Sequence, residues 1–343
     1  MILKTINSLI LLIALTICNA CEKQTDSEIK TLFNEDSEKR LMTFALNKED
    51  EFYFVSQEID KDTVVPMWSS YLPIKHNLYR QIDTNSNFEL IDDDFYYTED
   101  IKFNSNNEML IRNHLGVFQI NDNGYQNLFE ESINTFDIDS KNNIWAAGYN
   151  SGLIMFDTNG EITKYADSTS ILPTNGISYL FVDKNDVVWI ALWNNQGILK
   201  IDKQDWQVFN STNSNLTSQN IWAINSDKDN NIWIGTGHDD NSLSLMRFNG
   251  TDWEDMSPRI DNELIKGTIR KIINLENKIY VVSNQYNLDA FQTNKLLAFD
   301  GLTWEKINIF PDEEPIRDIK PDKSRKTLWI LTAKNKLYGL KSE

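Results

Sequence analysis

The chain has 343 residues, 41% hydrophobic and 11% aromatic, which is enough apolar material for a large core without covalent staples. Its 51 Asp and Glu outnumber 33 Lys and Arg, and the resulting charge of −18 repels phosphate backbones and anionic lipid. With no basic stripe interleaved with aromatics, nucleic acid is excluded as a partner, and two cysteines, Cys18 and Cys21, exclude a disulfide framework.

The first residues have the pattern of an export signal. Lys4 precedes an apolar core, Leu9–Ile17, too short to span a bilayer, and Asn19-Ala20 supply the small residues of a cleavage site. Cys21 follows directly. The segment resembles the lipobox of bacterial lipoproteins, departing from it in having Cys18 at the usual Leu position and Asn19 next. The resemblance implies a signal peptide over residues 1–20 and a lipid on Cys21. Loss of Lys4 makes the mature chain one unit more acidic, and loss of Cys18 leaves no thiol pair. Residues 21–27 are polar and aperiodic, a short tether. The expected location is the bacterial envelope, lipid-anchored at the outer membrane and facing either the periplasm or the surface. Acidity then serves solubility.

From residue 28 onward the chain is expected to form one domain of short strands. Glu28-Ile-Lys-Thr-Leu-Phe33 is a lone strand; Thr43–Leu46 and Glu51–Val55 open a first repeat, interrupted by an insertion, Gln57–Asn77, that carries Pro66, Trp68 and Tyr71. Asp100–Asn104, Glu108–Arg112, Gly116–Ile120 and Tyr125–Phe129 make a second. The next three are near copies, Phe136–Trp145, Phe181–Trp189 and Ile224–Trp233, and their tryptophans are 44 positions apart. That period lies in the range of about 40–50 residues where one repeat is one propeller blade. Within the third repeat, Thr135–Ile138, a turn at Asp139–Asn143, Ile144–Ala147, Gly152–Phe156, a turn at Asp157–Gly160 and Glu161–Tyr165 describe four strands joined by hairpins. A sixth repeat contains Lys271–Leu275, Lys278–Val282 and Leu296–Gly301, and a seventh Arg317–Ile319, Thr327–Leu331 and Lys336–Leu340.

These strands are apolar on both faces, as sheets packed between two other sheets must be, and Trp145, Trp189, Trp233 and Trp329 are assigned to that core. The seventh repeat stops after three strands. Glu28–Phe33 is predicted to be its fourth, closing the ring and covering an open edge. The fold class is therefore all-β, a seven-bladed propeller of four-stranded antiparallel blades, with residues 28–343 as a single domain.

Asn142–Gly148 with Gly152-Leu153, Asp186–Ala191 with Gly197-Ile198, and Asn230–Thr236 resemble the two-component regulator propeller repeat; Ser170–Asn175 and Asn213–Asn220 resemble its link between blades. The resemblance is strong over Ile133–Gly250 and continues from Leu41 to Leu340. It implies a propeller of the kind that forms periplasmic sensor regions of hybrid histidine kinases, which respond to glycan breakdown products. With no kinase segment, output domain or internal membrane span, this chain is expected to be a free-standing lipoprotein version.

Turns between first and second strands and between third and fourth are tight and rich in Asn, Asp and Gly, and fall on one face. The other links fall on the opposite face and vary, and variable loops on a rigid scaffold are where function concentrates. The candidate ligand-binding residues there are Arg112, His114, Tyr149, Trp193, Trp222, His238, Asp239 and Tyr286, with the Gln57–Asn77 insertion overhanging as a lid. Exposed aromatics among amides and carboxylates suit a glycan or peptide ligand. Docking of an envelope protein on a broad surface, or plain inter-blade packing of each residue, competes with that role.

No metal or cofactor is expected. His76, His114 and His238 lack short ligand spacing, and Asp227–Asn231 lacks the Gly and terminal Glu of a calcium loop. No repeated motif pairs a His with an acid, so no catalytic residue is assigned and binding is favoured over catalysis. The alternative is a propeller lyase acting on a polysaccharide or cyclic peptide. The sequons Asn210–Thr212 and Asn215–Thr217 carry no weight in a bacterial lipoprotein.

Overall fold

The repeated Asp turn builds each inner hairpin. In the third repeat the Asp139 carboxylate accepts the backbone N–H groups of Lys141 (3.0 Å) and Asn143 (2.9 Å), the Asn143 amide (2.8 Å) and the Trp145 indole N–H (3.2 Å). Asp183 reaches Trp189 at 3.1 Å, Asp227 reaches Trp233 at 3.0 Å and Asp322 reaches Trp329 at 3.3 Å. Asp and Trp are thus one device: the carboxylate holds the reversal and satisfies an indole donor. Trp189, Trp233 and Trp329 are buried as expected, whereas Trp145 is half-buried and stacks on Tyr165 at 6.5 Å.

The computed structural model describes residues 27–31, 39–58, 75–82, 88–96, 98–113, 115–121, 124–168, 172–237, 243–265, 267–285, 293–309 and 314–342. The signal segment, Cys21, most of the tether, and Pro66, Trp68 and Tyr71 of the insertion lie outside them.

Seven four-stranded antiparallel sheets form the blades. Blade 7 opens the chain with β1 (Ser27–Thr31). Blade 1 is β2–β5 (Lys39–Leu46, Phe52–Glu58, Lys75–Gln81, Phe88–Tyr96) and blade 2 is β6–β9 (Asp100–Phe103, Met109–Asn113, Gly116–Asn121, Gly124–Glu130). Blade 3 is β10–β13 (Thr135–Ile138, Ile144–Gly148, Gly152–Phe156, Ile162–Tyr165) and blade 4 is β14–β17 (Ile177–Val182, Val188–Leu192, Gly197–Asp202, Asp205–Phe209). Blade 5 is β18–β21 (Ile221–Ser226, Ile232–Gly237, Leu243–Phe248, Trp253–Asp255). A small hairpin, β22–β23 (Arg259–Ile260, Glu263–Leu264), precedes blade 6, β24–β27 (Thr268–Leu275, Lys278–Gln285, Thr293–Phe299, Trp304–Ile307). Blade 7 is completed by β28–β30 (Ile316–Asp322, Thr327–Thr332, Lys336–Lys341).

The ring closes as predicted. β1 pairs antiparallel with β30, from Ser27 opposite Leu340 to Thr31 opposite Lys336, giving the order β1-β30-β29-β28. Blades 7 and 1 also share a core, in which Phe52 packs edge-on against Trp329 at 5.1 Å beside Leu41, Phe44 and Phe54. The other cores likewise sit between blades. Between blades 4 and 5, Trp189, Phe209, Phe248 and Trp253 form one aromatic cluster, with the Phe209 and Phe248 rings 5.1 Å apart.

One element has no counterpart in the sequence reading. β22–β23 turns on Asp261 and Asn262, both left-handed (φ 53 and 66), the combination that a two-residue hairpin requires. Two-residue strands are too short to show a periodicity.

The tight turns lace one face of the ring together. Ser105 N–H donates to Asn142 (2.9 Å), Ser140 N–H to Asp186 (2.8 Å) and Ser324 Oγ to Asp50 (2.8 Å), each bond joining neighbouring blades. The opposite face, where inner strands enter the ring, carries the variable links.

Candidate functional site

Two of the sequence candidates meet on that variable face. Tyr149 follows β11 and Trp193 follows β15, one repeat later, so each occupies the same place in adjacent blades. Their rings lie 4.9 Å apart at 69°, edge to face, and remain 48% and 38% exposed. They are the exposed aromatic side chains among the described residues. Leu115, in the corresponding turn of blade 2, is likewise exposed, at 48%.

The pair borders a depression of about 710 Å³ lined also by Asn150, Asp167, Thr174, Asn175, Gly176 and Asn194. Local chemistry fixes its walls. Asn194 and Asn195 adopt φ of 59° and 58°, a turn that Asn tolerates, and the Trp193 N–H donates to the Gly176 carbonyl (2.9 Å). At Gly176 an added Cβ would meet Trp193 Cβ at 2.9 Å, so only glycine lets the link pass beneath the indole. Asn175 is bonded both ways to Asp167, accepting its N–H and donating to its carboxylate, each at 2.9 Å. The result is an apolar platform beside fixed amide and carboxylate groups. Asp167, Thr174, Asn175 and Gly176 are not among the sequence candidates, although Thr174 and Asn175 belong to the segment Ser170–Asn175 that resembles the inter-blade link.

The other described candidates are engaged elsewhere. Arg112 is buried, its guanidinium donating to Glu99 (2.5 Å) and to the Ile133 carbonyl (3.2 Å), contacts that tie blade 2 to blade 3. Trp222 is half-buried on β18, with the Arg270 guanidinium 4.5 Å from its ring centre. His114, His238, Asp239 and Tyr286 lie outside the described residues.

Inward, the inner strands present a charge network to the channel. Lys102 pairs with Asp137 (2.7 Å), Lys320 with Asp100 (3.1 Å) and Asp318 (3.8 Å), and Lys271 with Asp318, which also accepts from Thr43 Oγ1 (2.7 Å). Burial pushes the Asp100 and Asp318 carboxyls up, but the neighbouring ammonium groups outweigh it and hold both below the usual carboxylate range. The same pairs hold Lys320 and Lys102 above the usual lysine value against their own burial. Every charge in this network has a partner, so it has the character of a structural lock.

His76 is buried, and the Thr98 N–H donates to its Nδ1 at 2.9 Å. Burial pushes the imidazole down to about 4, outweighing the Thr98 bond and Glu99, which raise it. The folded chain therefore binds fewer protons here than the unfolded chain between its ordinary value near 6.5 and about 4. Stability present at pH 7 is expected to be lost across that window, by roughly 3 kcal/mol at its acid end. Urea titrations from pH 7 to pH 4 will show the slope, and His76→Asn, which keeps an acceptor for Thr98, should remove it. Among the described residues no three His, Cys, Asp or Glu gather as a metal-holding group, and no helix is long and apolar enough to cross a membrane.

Known proteins share this architecture. The chain is similar in structure to virginiamycin B lyase from Staphylococcus aureus, at 12% identity and a TM-score of 0.66 over 93% of this chain and 100% of that one. It is similar to the extracellular domain of BT4673 from B. thetaiotaomicron, at 13% identity and a TM-score of 0.64 over 91% of this chain but 40% of that one. A third likeness is YCF48 bound to D1 peptide, at 11% identity and a TM-score of 0.62 over 94% of this chain and 97% of that one. Identities this low speak for the fold alone. No curated protein matches the sequence. The two component regulator propeller model matches residues 215–238, the link and first two strands of blade 5. The chain is thus a seven-bladed β-propeller, and its fifth blade carries a match to the two component regulator propeller repeat.

Proposed function

We propose that this propeller is a lipid-anchored binding protein of a bacterial envelope, holding a short glycan on the platform of Tyr149 and Trp193. The observation that carries this reading is the exposed aromatic pair, edge to face at 4.9 Å, bordering a polar depression. Sugar rings present C–H faces that stack on aromatics and hydroxyls that bond to amides and carboxylates, and Asn175 and Asp167, which line the same depression, offer groups of that kind. The propeller repeat and the fold shared with an extracellular domain support an envelope setting, and the segment ending at Cys21 supports the anchor.

The test is thermal unfolding against panels of oligosaccharides and peptides, since a ligand of the native state raises the midpoint by mass action. A saturable shift with a glycan is expected. Tyr149→Ala and Trp193→Ala should each weaken it at least ten-fold while changing stability by no more than about 0.5 kcal/mol, both side chains being exposed. A shift with peptides alone replaces the glycan with a peptide, and a shift untouched by both variants removes the platform from the reading. Partition of the native chain into the detergent phase, abolished by Cys21→Ala, tests the anchor.

A further inference from the structure

The seven inner strands enter the ring in one register, and that register brings together a set of cations. Five of them carry a one-residue bulge near the start: β2 at Met42, β14 at Ser178, β18 at Trp222, β24 at Arg270 and β28 at Arg317. In β6 and β10 the corresponding residues are Glu99 and Asn134, which donate their backbone N–H groups to Arg112 and Ala147 carbonyls, each at 3.0 Å. These seven residues circle one mouth of the channel, and several touch the next blade. Asn134 donates to the Ser178 carbonyl (2.9 Å), Ser178 Oγ to the Ile221 carbonyl (3.3 Å), Trp222 faces Arg270, and Arg317 Nη1 lies 3.6 Å from Met42 Sδ.

The mouth is electrostatically lopsided. On the side of blade 2, Glu99 is matched by Arg112. On the side of blades 7 and 1 stand Arg317 and, two residues before Met42, Arg40, next to the blade 5–6 pair in which the Arg270 guanidinium is engaged over the Trp222 ring. Neither Arg317 nor Arg40 has a carboxylate partner among the described residues, and the Arg317 Nε is buried without an acceptor. Asp318, next in sequence to Arg317, is committed to Lys271, Lys320 and Thr43 in the channel below. Burial, and then the Arg40 charge, push the Arg317 guanidinium down to about 10, the sign of a cation kept out of water beside a like charge. Half-burying an uncompensated guanidinium is costly in a chain of net charge −18, which has carboxylates in excess. An anion brought by a ligand would complete the site.

We propose that the channel mouth binds the oxyanion group of a small ligand, a carboxylate or a phosphate, on Arg317 and Arg40, with the Arg270–Trp222 pair as its flanking wall. Guanidinium is the cation suited to this task, because its planar fork meets two oxygens of one anion. The site is separate from the Tyr149–Trp193 platform, so the two proposals stand or fall independently.

The experiment is thermal unfolding of the full-length chain in detergent with malonate, inorganic phosphate or sulfate, ionic strength being held constant with chloride. At least one oxyanion is expected to give a saturable rise in midpoint that chloride does not. A larger response to malonate assigns a carboxylate, and a larger response to phosphate assigns a phosphate ester. Arg317→Met should weaken binding at least ten-fold and, because it removes a desolvated cation, should not lower the midpoint of the unliganded chain. Arg40→Gln, at an exposed position, provides a second loss-of-binding variant should the first fail to fold. Tyr149→Ala should leave the response intact. No oxyanion effect beyond chloride, or equal responses in wild type and both arginine variants, would overturn the proposal.

Discussion

Replacing Glu28 and Ile29 together by proline is expected to destabilise the propeller by roughly 3–5 kcal/mol, a value reached by counting about 1 kcal/mol for each bond of a five-residue ladder. Successive residues of a strand point their N–H groups in opposite directions, so one of the two must donate into β30, opposite Gly339 or Tyr338. Loss of β1 would leave blade 7 with three strands and β30 as an open edge, the condition under which sheets recruit other chains. Size-exclusion chromatography should therefore show self-association together with the lower urea midpoint. The control is the same pair of prolines at Ile162 and Thr163 in β13, an outer strand of similar length that does not close the ring. If that control is as damaging as the β1 variant, closure contributes nothing beyond the ladder itself.

Asp318→Ala should be the most damaging single change in the channel, at about 3 kcal/mol. The Asp318 carboxylate is 3% exposed and is shared by Lys271, Lys320, Thr43 and the Ile319 N–H. Removing it leaves Lys271 without its partner in the network and Lys320 with Asp100 alone. A buried ion pair contributes little net stability when intact, because desolvation offsets its attraction, but removing one member leaves a charge uncompensated. Lys320→Met should cost less, since Asp318 keeps Lys271 and Asp100 keeps part of its side chain in contact with the channel. The order of the two variants in urea unfolding is the measurement, and the reverse order would contradict the assignment of Asp318 as the hub.

The acid limb of the same network follows from its signs. Asp100 and Asp318 are held below the ordinary carboxylate range in the fold, so their contribution is complete above the unfolded value near 3.8 and is lost as pH falls below it. His76 loses its contribution at higher pH, and the two effects separate on the pH axis.

How much of the site was visible beforehand depended on whether the residue obeyed the repeat. Tyr149 and Trp193 are one period apart, so a ring of like blades must set them side by side, and they meet at 4.9 Å. Arg112 occupies the same face in sequence, yet Glu99 and the Ile133 carbonyl turn it inward, and no local pattern announces that choice. Arg270, Arg317 and Arg40 belong to three different blades, and only the inner-strand bulges and the ring register make them neighbours of one channel mouth.

The amino-acid sequence by itself determined the blade count, the turns rich in Asp and Asn and the closing role of the segment after Ser27. Each of these rests on local hydrogen bonds or on a hydrophobic period, and both are written within a few residues of one another. The tertiary structure alone decided which polar and aromatic groups on the variable face converge and which are spent as ties between blades. Those outcomes depend on contacts between residues tens to hundreds of positions apart, where side-chain direction and the closure of the ring, rather than residue type, select the partner.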